Sequence, residues 1–93
     1  MWRIEEHRRV DKQLSAAPRE IRKRYEKWKD IVMLSGPPGL RLIGGFNDEA
    51  LSGKWHGYRS SRLGLQYWVF YRTLPGEQLF QVVAINAHDY RRP

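Results

Sequence analysis

The 93-residue chain contains no cysteine. Disulfides and thiolate metal sites are therefore excluded as sources of stability, and the composition suits a reducing compartment. No apolar run approaches the ~18 residues of a membrane-spanning helix, and the charged first residues lack the apolar stretch of a secretory leader. A cytoplasmic protein with no membrane partner is expected. Acidic residues are the minority, 10 Asp and Glu against 17 Lys and Arg, for a formal charge of +7. That balance favours a polyanionic partner, either nucleic acid or an acidic protein. There is no P-loop, no dinucleotide fingerprint and no His-Glu-x-x-His pair. The three histidines, His7, His56 and His88, lie too far apart for a zinc motif. No metal and no cofactor is expected. Paired carboxylates are scarce in the strand-like segments, so any chemistry rests on Arg, Lys, His and Tyr, which suits a phosphodiester better than a glycoside or a peptide.

What is present is enough apolar and aromatic side chain, 41% and 13% of the residues, for one core and one domain spanning 1–93. Residues 2–7 alternate weakly and predict a first strand. Val10 and Leu14, four apart, suit a short helix, and Pro18 and Glu20 mark the start of another. Ile21, Tyr25, Trp28, Ile31 and Val32 then fall on one stripe of a helix. Its other face carries Arg19, Arg22, Lys23, Lys27 and Lys29, interspersed with Glu20, Glu26 and Asp30, and reads as a solvated face with local pairs. "SGPPG" at 35–39 predicts a firm stop, 40–46 a turn or irregular piece, and 46–53 a loop or single helical turn. Strands are expected at about 56–63, 66–73 and 78–87, with "LPGE" turning between the last two. The class is α+β, N-terminal helices on one face of a small antiparallel sheet.

"GKWHGYRSSRLGLQYWVFYR", residues 53–72, concentrates two Trp, three Tyr, three Arg and one His in a single hairpin. Strand parity puts Arg59, Ser61 and Leu63 on one face of its first arm, and Tyr58, Ser60 and Arg62 on the other. In the second arm Tyr67, Val69 and Tyr71 oppose Trp68, Phe70 and Arg72. Near the chain end His88 and Tyr90 share parity. Arginines hold phosphate oxygens, aromatic rings stack on bases, and a His–Tyr pair can move protons.

The order "LSGKWHGYRSSRLGLQYWVFY" followed by "VVAINAHDYRR" resembles the C-terminal half of the RelE/ParE superfamily of bacterial toxins, nearest to RelE- and HigB-like mRNA interferases. The likeness extends loosely over residues 15–92. It implies a type II toxin that acts as a ribosome-dependent mRNA endonuclease. In such a reaction the ribose 2′-hydroxyl attacks the adjacent phosphate without a metal. The implied partners are a cognate antitoxin, laid over the basic face, together with the ribosome and mRNA. By the same resemblance Arg62, His88, Tyr90 and Asp89 form the catalytic set, and Lys54, His56, Arg59, Arg72 and Arg91 bind RNA. One departure stands out. Many relatives carry Arg after the "QY" pair, where this chain has Trp68, and the resemblance implies either that Arg62 or Arg72 takes that role or that the toxin is weakened or inactive. Two other classes remain open: a ParE-like toxin that binds a protein target such as gyrase, and a basic RNA-binding module without chemistry.

Overall fold

The apolar stripe at residues 21–32 forms the central helix. In the computed structural model, which describes residues 1–87, Ile21, Tyr25, Trp28 and Val32 are all buried. The elements are β1 (Arg3–Glu6), α1 (Arg9–Ala16), α2 (Arg19–Arg41), β2 (Glu49–Ala50), β3 (Arg59–Gly64), β4 (Tyr67–Leu74) and β5 (Leu79–Asn86). The five strands make one sheet in the order β1-β5-β4-β3-β2. The expected α+β architecture is present, with one difference in pairing. The meander β3-β4-β5 is antiparallel, while β1 lies parallel to β5, Ile4 opposite Phe80. Past Glu6, α1 meets the outer side of β5, and Gln13 Oε1 accepts from the Ile85 N–H at 2.7 Å.

The helical geometry of α2 does break within "SGPPG", where a stop is expected, although helix follows on the far side. Gly36 leaves helical geometry at φ +64, and the chain then resumes one more helical turn through Arg41. Pro37 and Pro38 occupy the start of that turn, where a missing N–H costs little. Gly36 is also required by contact, because a Cβ there would lie 2.5 Å from the Trp2 ring. Trp2 in turn packs edge-on against Phe80 at 5.2 Å. The 46–53 segment contains a two-residue edge strand, β2, with Glu49 opposite Ser60 and Ala50 opposite Arg59. Two residues are too few for alternation to register in a sequence.

Apolar side chains line both faces of the sheet. The larger cluster lies between α1, α2 and the sheet, centred on Trp28, and includes Leu63, Val69, Tyr71, Phe80, Val82 and Ile85. Trp28 stacks on Tyr25 at 5.7 Å and meets Tyr71 and Phe80 edge-on at 5.3 and 5.8 Å, geometries favoured by aromatic quadrupoles. A smaller cluster, Leu51, Trp68, Phe70 and Ala84, sits on the face away from the helices. A bulge in β5 makes this division possible. Tyr71 pairs with Val82 but Phe70 pairs with Ala84, so Val83 is extra and the facing of β5 inverts there.

Candidate nucleic-acid interface

The helix-free face is where the hairpin's cations gather. Arg62 on β3 stands opposite Trp68 on β4, with its guanidinium carbon 5.9 Å from the indole centroid. Its Nη2 donates to the Leu65 carbonyl at 3.2 Å in the turn. Its Nε is buried and has no hydrogen-bond partner among the described residues, and neither has the nearby Ser60 Oγ. A buried donor without a partner is uncommon in a native fold. Farther along the same face the Arg72 guanidinium lies 5.7 Å from the Tyr58 ring, and its Nε donates to Gln81 Oε1 at 2.7 Å. Lys54 and His56 are exposed, on the short helical turn Gly53–Trp55 and just after it. Trp55 meets Tyr58 edge-on at 5.4 Å and ties that loop to the sheet.

Trp68 has a different place from the one the resemblance assigns to its position. Its side chain does point away from α2, as strand parity requires, but it is only 6% exposed and packs with Leu51, Phe70 and Ala84. It lies neither under the helix nor at an open surface. Trp68 is the floor against which Arg62 lies.

Arg59 is separated from the other cations. It points to the helix side and forks onto Asp48, Nε and Nη2 reaching Oδ1 at 2.8 and 2.7 Å. The second carboxylate oxygen of Asp48 accepts from Ser61 Oγ at 2.6 Å and from the Tyr71 hydroxyl. Ser61 Oγ in turn accepts from Trp28 Nε1 at 2.9 Å. The Asp48 side chain is 2% exposed, so Arg59, Ser61 and Tyr71 replace the water it has lost. Burial, then the charge and hydrogen bond of Asp48, push the Tyr71 hydroxyl far above its usual range. For Arg59 burial acts to lower the pKa, and the hydrogen bond and charge of Asp48 outweigh it. The network fixes the loop before β2 to the sheet, and through it Leu51 and the Lys54–His56 turn.

Of the residues expected at the site, Arg62 and Arg72 share the helix-free face, with Lys54 and His56 on the loop beside it. Arg59 is held on the opposite side. His88, Asp89, Tyr90 and Arg91 lie outside the described residues. Sequence reasoning gave no role to Tyr58 and Gln81, although Tyr58 has the parity of Arg62. It also missed Asp48, which carries no local signal. Among the described residues no three His, Asp or Glu side chains come together in a way that could hold a metal ion. No helix among them is long and apolar enough to cross a membrane.

No protein-family model matches the sequence, and no curated protein matches it. Solved structures do. YafQ from E. coli superposes with a TM-score of 0.76 at 16% identity, over 95% of this chain and 94% of that one. The RelE chain of the archaeal RelE–RelB complex from Pyrococcus horikoshii gives 0.72 at 22% identity, over 98% and 96%. The toxin of the YoeB–YefM toxin–antitoxin complex from Staphylococcus aureus gives 0.72 at 14%, over 96% and 99%. Across nearly its whole length, the chain has the fold of these YafQ, RelE and YoeB structures.

Proposed function

We propose that the protein is the toxin of a type II toxin–antitoxin system and that it cleaves mRNA bound to the ribosome. The observation that carries this reading is Arg62, a guanidinium on a sheet face free of helices, braced by Trp68 and the Leu65 carbonyl, with a buried Nε that lacks a partner among the described residues. Such a group suits a phosphate oxygen, because a fixed, partly desolvated guanidinium interacts strongly with an anion. The fold supports the reading by likeness to YafQ, RelE and YoeB, whose structures include complexes with the antitoxins DinJ, RelB and YefM.

The reaction is attack of a ribose 2′-oxygen on the adjacent phosphate. The 2′-hydroxyl gives up its proton, the P–O bond to the next nucleotide breaks, and the departing 5′-oxygen takes a proton. Negative charge grows on the phosphate oxygens between these events. Arg62 is assigned to that charge, and His88 and Tyr90 to the two proton transfers, with Asp89 beside them. Lys54, His56, Arg72 and Arg91 hold the strand. Arg59 is left out of this set, because its guanidinium is committed to Asp48. Since Trp68 is a buried floor, Arg62 supplies the cation that relatives place at the position of Trp68. In the cytoplasm an acidic antitoxin segment would be steered onto a chain of charge +7.

The test is induced expression without a partner. Growth stops through loss of protein synthesis and messages are found cut. Intact messages with arrested DNA supercoiling would point to a ParE-like toxin, and binding of RNA without growth arrest to a module without chemistry.

A further inference from the structure

Arg72, Gln81 and Glu5 form one row across three strands of the helix-free face. Arg72 on β4 is in register with Gln81 on β5, and Gln81 with Glu5 on β1. Hydrogen bonds link the row from end to end. Arg72 Nε donates to Gln81 Oε1 at 2.7 Å, and Gln81 Nε2 donates to Glu5 Oε1 at 3.2 Å. Tyr58, Val83 and His7 wall the row into a cleft of about 240 Å³. The row is about 13 Å along β4 from Trp68 and its partner Arg62, four residues at ~3.3 Å each. A group bound here is therefore distinct from a phosphate held by Arg62.

We propose that this cleft selects a guanine base. Gln81 is engaged at both ends of its amide, so it acts as a strut that sets the positions of its neighbours. The terminal nitrogens of Arg72 and the second oxygen of Glu5 make no hydrogen bond among the described residues. The row thus presents a guanidinium donor at one end and a carboxylate acceptor at the other, beside a tyrosine ring. Guanine carries acceptors at O6 and N7 next to donors at N1 and N2, which meet a guanidinium and a carboxylate respectively. Adenine turns a donor toward the guanidinium where guanine has O6. Cytosine has acceptors beside its single amino group, and uracil has one donor between two acceptors, so both set an acceptor against the carboxylate. The Tyr58 ring gives the base a face to stack on. That the guanine belongs to an RNA strand rests on the proposed function, and the preference of the cleft for the base does not.

The test is a titration of the folded protein with each of the four nucleoside 5′-monophosphates, read by NMR. GMP is expected to move the Gln81 side-chain amide and Tyr58 ring signals, and AMP, CMP and UMP to move them far less. Glu5→Gln, an exposed position on β1, is expected to reduce the preference for GMP over AMP about tenfold, within the range a bidentate base contact provides. A thermal melt of the same variant confirms that it is folded. Equal shifts from all four nucleotides, or none at these two residues, overturn the proposal. So does an unchanged preference in folded Glu5→Gln. Mapping cut sites on translated messages separates this from the proposed function. Cuts without any bias toward guanine overturn a part for the cleft in reading the message and leave the nuclease standing. Selective GMP binding by a protein that cuts no message supports the cleft and overturns the nuclease.

Discussion

Arg59 and Asp48 are joined by two contacts of 2.8 and 2.7 Å on the helix side of the sheet, so the first hairpin arginine is committed to holding a buried carboxylate. Asp48 lies 11 positions before Arg59 in a loop with no periodic pattern, and the pair draws in Ser61, Tyr71 and Trp28. Removing Asp48 takes the partner from Ser61, Tyr71 and an Arg59 side chain that is 26% exposed, so the about 3–5 kcal/mol of a fully buried pair is an upper bound. Asp48→Ala is therefore expected to lower stability by up to about that amount in urea denaturation. Asp48→Asn, which keeps one acceptor oxygen, is expected to lose less. If Asp48→Ala melts like the unmodified protein, the network does not hold the loop.

The same network predicts behaviour at high pH. Burial raises the pKa of Tyr71 far above the ordinary tyrosine value, and Asp48 adds to the effect. Tyr25 is raised as well, by burial first and then by its hydrogen bond to Glu6. Above pH ~10 the unfolded chain releases these two protons while the folded protein keeps them. The unfolded state then binds fewer protons, and stability falls as pH rises. Each tyrosine contributes a slope of about 1.4 kcal/mol per pH unit in that range. Denaturation midpoints measured from pH 9 to 11.5 are expected to show this decline, and Tyr71→Phe to make it shallower. Identical slopes in the two proteins would mean that Tyr71 ionises in the folded state.

Trp68 offers a third test. With 6% of its surface exposed and Phe70, Leu51 and Ala84 around it, the indole is part of the smaller apolar cluster. Trp68→Arg places a cation among these groups and beside Arg62, 5.9 Å from the present ring. The expected result is a loss of about 3–5 kcal/mol, the range for truncating a buried Trp, with no gain in cleavage. A variant of unchanged melting temperature that cuts faster would show that the position faces substrate.

Much of the fold was legible in the sequence because its signals are periodic. The stripe from Ile21 to Val32 repeats at the 3.6-residue period over three turns, and the strand segments are set apart by turn residues such as those at 74–77. Parity also placed Trp68 and Arg72 on one face and Tyr71 on the other, as found. What escaped depends on single long-range contacts. The break at Gly36 lies against the ring of Trp2, 34 positions earlier. β2 exists because two residues meet β3, and β1 lies parallel to β5 because α1 and α2 carry the chain across the sheet. Arg59 was grouped with Arg62 by the resemblance, although their parity already set them on opposite faces. The partner that decides its role, Asp48, is recognisable only once the loop is folded back.

The measurement that bears most directly on the account is primer extension on a message in a translating extract, comparing the protein with Arg62→Ala. The account predicts discrete cuts within translated codons, little cutting of the same RNA without ribosomes, and a 100- to 1000-fold fall in rate for Arg62→Ala, as when one charge-stabilising donor at a reacting centre is removed, roughly 2.7–4 kcal/mol. Full-length message throughout, or cutting that Arg62→Ala leaves unchanged, would contradict it.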